Sequence, residues 1–434
     1  MNEKSRSIGL LGAIAVGIGG MVGGGIFAVL GEAVSLAHGA TAIAFLIAGM
    51  VALLTSYSYA KLSVTYQSQG GTVTFVDKAF GHNLLSGTVN LMLWLSYLVT
   101  ISLYAVAFAS YAQTFFPDNT TTWLKHLLIS VAILLPGMIN LISASFVSRS
   151  ETLIVIIKIA LLVLIIVTSA SYVDIERLSP KQWGSSFSIV VAGMVIFVAY
   201  EGFELIANAA EDIKNPTSNL PKAFYSSVLL VILLYVLIAM ITVATVPEQQ
   251  LLMAKDYALA VAAKPALGQV GFTIVAVAAL MATFSAINAT IYGNSRFGYI
   301  LAKTGELPSM LDKEKRNIPT MGVILTVCLS LIIANSINLT EIAIIGSASF
   351  LLIFFIVNIA AYKTHLKIKV NKNIVMLACI ASGLALTTLL IHTFLDDPQA
   401  IIIFLSFIGL SFLFELTYGR LIRKHIFQRP YKNV

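Results

Sequence analysis

The sequence predicts an all-α integral membrane protein of twelve transmembrane helices, forming one membrane domain over residues 1–434. Three observations predict it. Only 11% of the residues are charged and 58% are apolar, with a mean hydropathy of +0.91, whereas a soluble domain carries about 25% charged residues. Apolar runs of roughly 20 residues, enough to cross a bilayer as a helix, recur along the whole chain. Lys and Arg also fall on one side of those runs. With both termini inside, the cytoplasmic segments hold twenty of the 27 basic residues. The outer segments hold only Lys125, Arg177, Lys181, Lys255 and Lys264, and the last two, Lys158 and Arg296, lie within spans. That asymmetry predicts both termini in the cytoplasm, and a cell-membrane location is expected. It also accounts for the net charge of +7 without nucleic acid.

The spans are expected near 8–34, 39–63, 82–116, 124–146, 149–172, 187–211, 220–246, 271–302, 318–334, 340–364, 373–392 and 399–422. Nothing in the first looks like a removable leader, so it is expected to be retained. The first, third and eighth exceed what a bilayer needs, which implies tilt, a break or an extension into water. Span 1 contains GIGGMVGGG at Gly17–Gly25, and each glycine inside a helix costs about 1 kcal/mol relative to alanine. Span 5 carries Lys158 in ETLIVIIKIALLVLIIV. Span 6 is interrupted by Val198-Ala-Tyr-Glu-Gly-Phe-Glu204. Span 8 holds Ser285, Asn288, Thr290 and Arg296. Cys328 and Cys379 sit in spans 9 and 11 and read as small buried hydrophobes. The connections 247–270 and 303–317 are short enough to be loops with a helical turn or two, and the basic tail 423–434 is expected to turn Arg423, Lys424 and Arg429 to lipid headgroups.

Spans 1 and 6 are both interrupted and lie five apart. Because five is odd, two such halves enter the membrane from opposite sides, as an inverted repeat requires. The repeats would be about 8–172 and 187–364, with 373–392 and 399–422 as extra helices. Paired interruptions of this kind mark the substrate site of secondary transporters.

Broken backbone at bilayer depth is tolerated only where it is buried in protein or lines a cavity. A glycine-rich break lets N–H groups approach a small anion, and the half-helix starting near Ile26 adds the positive end of its dipole. A carboxylate fits such a site. Close helix packing is the competing explanation, because Gly19-x-x-x-Gly23 and Gly20-x-x-x-Gly24 fit the small-residue pattern. Glu201 and Glu204 are rare intramembrane carboxylates, candidates for binding or protonation, with a wetted vestibule as the plainer alternative. Lys158 lies roughly 13 Å along the helix from Arg149, deep for snorkelling. Burial works against a charged ammonium, which suits a proton carrier, while tilt and stem length could instead bring the amine to the interface. Interhelical hydrogen bonding is the default for Ser285, Asn288 and Thr290, and Arg296 reads as a structural or gate ion-pair partner.

Four stretches carry a resemblance to the amino acid–polyamine–organocation (APC) superfamily of transporters. They are GGMVGGGIF at 19–27, GGTVTFVDKAFG at 70–81, FVAYEGFELIANAAEDIKNPTSNLPKAF at 197–224 and SAINATIYGNSRFGYILAKTGELP at 285–308. The resemblance implies the sodium-symporter-like five-plus-five inverted repeat, the LeuT-type fold, with helices 1 and 6 unwound. It implies that N–H groups of Gly23, Gly24 and Gly25 hold the substrate carboxylate. Carbonyls of Met21, Val198 and Glu201 would meet its amine, and Phe197 and Tyr200 would stand near the pocket and gate, while Tyr104 of span 3 reads with Val198 and Tyr200 as an apolar to mixed lining. Archaeal proton-coupled members carry a lysine in span 5 where sodium-coupled relatives bind sodium, and the similar lysine here is Lys158. Glu204 matches a carboxylate that some exchangers use in pH sensing, and Ser285 joins these two as a coupling candidate. The implied function is amino-acid import driven by protons, with exchange or non-transporting sensing as alternatives. No nucleophile–base pair, metal cluster or cofactor motif appears, so no enzyme activity, metal or cofactor is expected. The expected partners are an amino acid, protons and membrane lipid.

Overall fold

A computed structural model describes residues 6–116, 121–142, 144–315 and 318–424, without the side chains of 144–154. Lys4, Arg316, Arg429, Lys432 and the Arg149 side chain, all part of the expected cytoplasmic charge, therefore lie outside the described residues.

The described residues are almost entirely helical. In chain order the helices are α1 Leu10–Met21, α2 Gly25–Ala37, α3 Thr41–Thr65, α4 Thr72–Phe80, α5 Leu84–Gln113, α6 Thr122–Ile142, α7 Ala144–Ser169, α8 Ser186–Val195 and α9 Leu205–Asn208. They continue as α10 Pro216–Thr245, α11 Glu248–Met253, α12 Ala258–Ala262, α13 Lys264–Lys303, α14 Thr320–Ser336, α15 Leu339–Lys363, α16 His365–Ile368, α17 Lys372–Asp396 and α18 Pro398–Tyr418. Among the described residues, ten helical segments are long and apolar enough to cross a bilayer, and eleven if α1 and α2, bent by 49° at their break, count as one. The apolar α14 has only 17 residues.

Two boundaries differ from the hydropathy reading for the same reason: apolarity stops at a charge, but helical hydrogen bonding does not. α7 starts at Ala144, ahead of the expected 149. The helix containing span 8 runs from Lys264, with Gly268 at φ 59° interrupting its first turns.

The middle of the molecule is built around α5, which packs against α13, α6, α15, α14 and α18. Buried almost all round, it carries Ser96, Ser102 and Ser110, whose hydroxyls return to the carbonyls of Met92, Leu98 and Val106 at 2.8, 2.8 and 3.1 Å. This back-bonding is how a hydroxyl is satisfied where water is absent. α17 and α18 instead expose Leu384, Phe394, Leu405 and Leu413, the apolar faces a bilayer requires of peripheral helices.

Two expectations are corrected here. Cys328 is exposed and Cys379 half-buried, because the outer face of a span is apolar surface too and holds a small thiol as well as the core does. Arg423 does not turn outward: it pairs with the buried Glu415 at 2.7 Å and lies over the Tyr418 ring. The Glu415 carboxylate stands so close to Gly87 that a Cβ there would meet it at 2.2 Å, and a carboxylate buried this deeply needs a counter-charge.

Candidate substrate cavity at the two helix breaks

The two interruptions meet. α1 ends where the Val22 N–H returns to the Ile18 carbonyl at 2.7 Å, and α2 restarts at Gly25 with no side-chain cap at Gly24. The first N–H groups of α2 thus have no partner within the helix. In the sixth span α8 passes into a 3-10 turn over Ile196–Tyr200 and then a break at 201–204 before α9. Backbone touches backbone where they cross: a Cβ on Gly20 would lie 2.6 Å from the Gly202 oxygen, and one on Gly202 only 2.4 Å from the Gly20 carbonyl carbon. Gly202 also has φ 106°, a conformation glycine adopts without steric cost. The far ends are tied as well, since Ile8 N–H donates to Asp212 O and Lys214 N–H to Ile8 O, at 2.9 and 2.8 Å.

A spacing of three, the period of the 3-10 turn, sorts the side chains of the sixth span. Phe197, Tyr200 and Phe203 enter the aromatic core: Phe197 against Phe354, Tyr200 against Tyr235, and Phe203 against Tyr59 and Phe354. One residue further on, Glu201 and Glu204 face a cavity. Both are buried, and α5 supplies each with a hydroxyl: Thr100 donates to Glu201 Oε2 at 3.0 Å and Tyr97 to Glu204 Oε1 at 3.3 Å. Glu204 Oε2 in turn accepts the Gly202 N–H at 2.6 Å, so one carboxylate satisfies the break beside it.

The freed backbone groups have other side-chain partners. Tyr235 donates to the Met21 carbonyl at 2.7 Å. Ser347 on α15 bridges the turn, accepting from Val198 N–H at 2.9 Å and donating to the Val195 carbonyl at 2.6 Å. The Val198 carbonyl accepts the Glu201 N–H at 3.3 Å.

The cavity is walled by the two breaks, by Tyr97 and Tyr104 of α5, by Lys158 of α7 and by α13 from Ser285 to Phe297, a run of roughly 18 Å along that helix. Of the residues singled out from the sequence, Tyr104, Lys158, Glu201, Glu204, Ser285 and Thr290 line it together. Lys158, 3% exposed, is as buried as the carboxylates. Gly19 and Gly20 line it, while Gly23, Gly24 and Gly25 pack at the corner above. A Cβ on Gly23 would meet Ala286, one on Gly24 the Tyr104 ring at 2.3 Å, and one on Gly25 the Ala199 backbone. Met21, Phe197, Val198 and Tyr200 are buried beside the cavity without forming its wall, and the Tyr200 hydroxyl is turned to the Phe45 carbonyl at 2.8 Å. Arg296 lies over the Tyr292 ring, and Asn288 accepts from Asn140 at 2.9 Å, as an interhelical bond.

The whole-chain comparison decides the family. The amino acid permease model matches residues 12–427. The chain belongs to the amino acid permease family. It is 32% identical over 434 residues to an uncharacterized protein of Methanocaldococcus jannaschii, covering 98% of both chains. It is 31% identical to the inner membrane transport protein YbaT of Escherichia coli, covering 96% of this chain and 98% of that one. It is 24% identical to the branched-chain amino acid permease BcaP of Bacillus subtilis, covering 82% and 81%. Family membership and the apolar helices together make this a multi-pass membrane protein, and its relatives are permeases and transporters rather than enzymes.

Sequence reasoning missed Tyr97, Thr100, Asn208, Asn294 and Ser347. Tyr97 and Thr100 were legible in principle, since a spacing of three sets them on one face of α5. Asn208 lines the cavity at the end of α9, where Gly71, at φ 46°, comes within Cβ reach of its side chain; that contact joins stretches 137 residues apart and leaves no local signal.

Proposed function

We propose that the protein is a secondary active transporter that imports amino acids across the cytoplasmic membrane by alternating access, coupled to protons through Lys158. The observation that carries this reading is Lys158 itself: a buried lysine on α7 walls the same cavity as both helix breaks and both carboxylates. A resemblance to the archaeal proton-coupled amino-acid transporter ApcT, which has a lysine in its fifth span, supports it, as do relatives named for amino-acid transport. In this reading α14 completes twelve spans with both termini in the cytoplasm, and 8–172 and 187–364 are inverted repeats of a LeuT-type fold.

The substrate carboxylate takes the N–H groups of Gly23, Gly24 and Gly25, at the positive end of α2. The amine takes carbonyls of Met21, Val198 and Glu201, with Tyr104 beside the side chain and Phe197 and Tyr200 packed behind the wall. Protonated Lys158 holds α1, α7 and α13 together in the outward-facing state, and loss of its proton releases them toward the inward-facing one, with Glu204 and Ser285 completing the relay. The conformation in hand fits the inward-facing end of that cycle. At the outer end Lys255 is ion-paired with Glu32, which also accepts from Thr340 at 2.9 Å. The cavity meanwhile extends from the breaks toward Asn208 and Phe297, on the side assigned to the cytoplasm.

Proteoliposome uptake under an imposed pH gradient tests the reading. The wild type should accumulate amino acid when the outside is acidic, and Lys158→Ala should lose that dependence while still binding substrate. Proton-driven uptake that survives in Lys158→Ala would overturn the coupling mechanism, and counterflow that needs internal substrate with no gradient would indicate an exchanger.

A further inference from the structure

Lys158 and the backbone of the breaks account for coupling and for the two ends of an amino acid, but they leave the Glu201 side chain unused. Its carbonyl has a role in the proposed binding mode; its carboxylate has none. Glu204 is committed to the break through Gly202 N–H and Tyr97. Glu201 is not: its carboxylate accepts Thr100 alone among the described residues, is 4% exposed and forms part of the cavity wall.

The charges around it are few. Its own element adds Glu204, α5 adds the neutral hydroxyls of Tyr97 and Tyr104, and α7 adds Lys158. α1 and α13 contribute Gly19, Gly20, Ser285, Thr290 and Asn294 among their lining residues, none of them titratable near neutrality. Fully ionised, the described wall holds two carboxylates and one ammonium. A surplus negative charge away from water is costly unless it is neutralised or paired, and either a proton or a positive charge carried by the occupant does that.

We propose that the Glu201 carboxylate is the charge-selecting group of the cavity, admitting a neutral amino acid together with a proton and a cationic amino acid or amine in place of that proton. This rests on the transport reading above and deepens it. Proton and cationic side chain then compete for one carboxylate, so the two substrate classes respond to pH in opposite directions. Acid protonates Glu201 and favours the neutral substrate; alkali bares it and favours the cation.

Purified full-length protein in liposomes, with radiolabelled L-alanine, L-leucine and L-lysine as probes, tests this at about pH 5.5 and about pH 8.5 inside and outside, with no gradient across the membrane. The expected result is that L-alanine or L-leucine uptake rises in acid and L-lysine uptake rises in alkali, each by up to on the order of tenfold per pH unit past the titration midpoint. Glu201→Gln should abolish L-lysine uptake and remove the opposition, and Glu201→Asp should restore both. Thr100→Val, which keeps the carboxylate but removes its hydroxyl partner, should preserve the opposition with a displaced midpoint, and it serves if the glutamine variant fails to fold. Uptake of the neutral probes with L-lysine neither transported nor inhibitory overturns the proposal and leaves the transport reading standing. So does an opposition that persists in Glu201→Gln. Absence of uptake for every probe overturns both.

Discussion

Between Ile18 and Ile26 the first break carries no ionisable side chain, whereas the second packs Glu201 and Glu204 into four residues. Both must find partners for backbone groups that a continuous helix would have satisfied. The first break does this with bare backbone and borrowed side chains: Gly20 lies on Gly202, Tyr235 caps the Met21 carbonyl, and α2 begins without a capping side chain. The second brings its own partner in Glu204 and takes another from Ser347. The contrast separates two tasks. A break free of side chains leaves N–H groups open to a ligand and permits close approach. A break bearing carboxylates supplies charge that responds to protons. One site needs both, and placing them on different spans lets each be shaped by a different constraint.

The largest effect is expected where the two breaks touch. Gly202→Ala forces a Cβ into a backbone carbon at 2.4 Å and holds alanine at φ 106°. The left-handed conformation costs about 1–3 kcal/mol and the overlap a further 1–3 kcal/mol or so, without a flexible side chain nearby to give way. The variant should unfold at markedly lower temperature in detergent, or fail to accumulate. Gly24→Ala is the control from the other break: its Cβ would meet the Tyr104 ring rather than backbone, so Tyr104→Ala should relieve it. If Gly202→Ala melts like the wild type, the crossing of the two breaks is wrong.

Much of this is legible in the sequence, and the line between legible and hidden follows chemistry. The breaks were readable because glycine and glutamate are each anomalous in an apolar span. Lys158 was readable for the same reason. What could not be read was direction. The resemblance sets Phe197 and Tyr200 near the pocket, but the period of three packs their rings, with that of Phe203, in the aromatic core and leaves the cavity wall to Glu201 and Glu204. The hydroxyls that hold those carboxylates, Tyr97 and Thr100, come from α5, about a hundred residues away, so their spacing of three shows a shared face but not what that face meets. Arg423 was misplaced because its partner Glu415 is buried against Gly87, a contact with no local pattern.

Glu204 gives the next effect in size. Replacing it with alanine leaves the Gly202 N–H buried without its partner, a loss of about 1–3 kcal/mol. Glutamine keeps an oxygen in place and should recover most of it. Thermal unfolding of the two variants side by side reads the difference. Equal losses would mean that the carboxylate's charge, not its acceptor geometry, holds the second break.

Ser347 tests the smallest term and the one most specific to the sixth span. A single hydroxyl accepts from Val198 N–H and donates to the Val195 carbonyl, closing the 3-10 turn from α15, whereas at the first break it is the Tyr104 hydroxyl of α5 that stands against the Gly24 backbone. Hydrogen bonds between membrane helices average about 0.6 kcal/mol and reach about 1.7 kcal/mol, and two made by one buried group fall toward the upper value. Ser347→Ala should therefore lower the unfolding temperature only slightly. Its clearer mark should be local: faster amide exchange at Val198 and Glu201, with α2 unchanged. If exchange rose equally on both sides of the crossing, the two breaks would be one cooperative unit, and the division between a shaping break and a charged one would have to be abandoned.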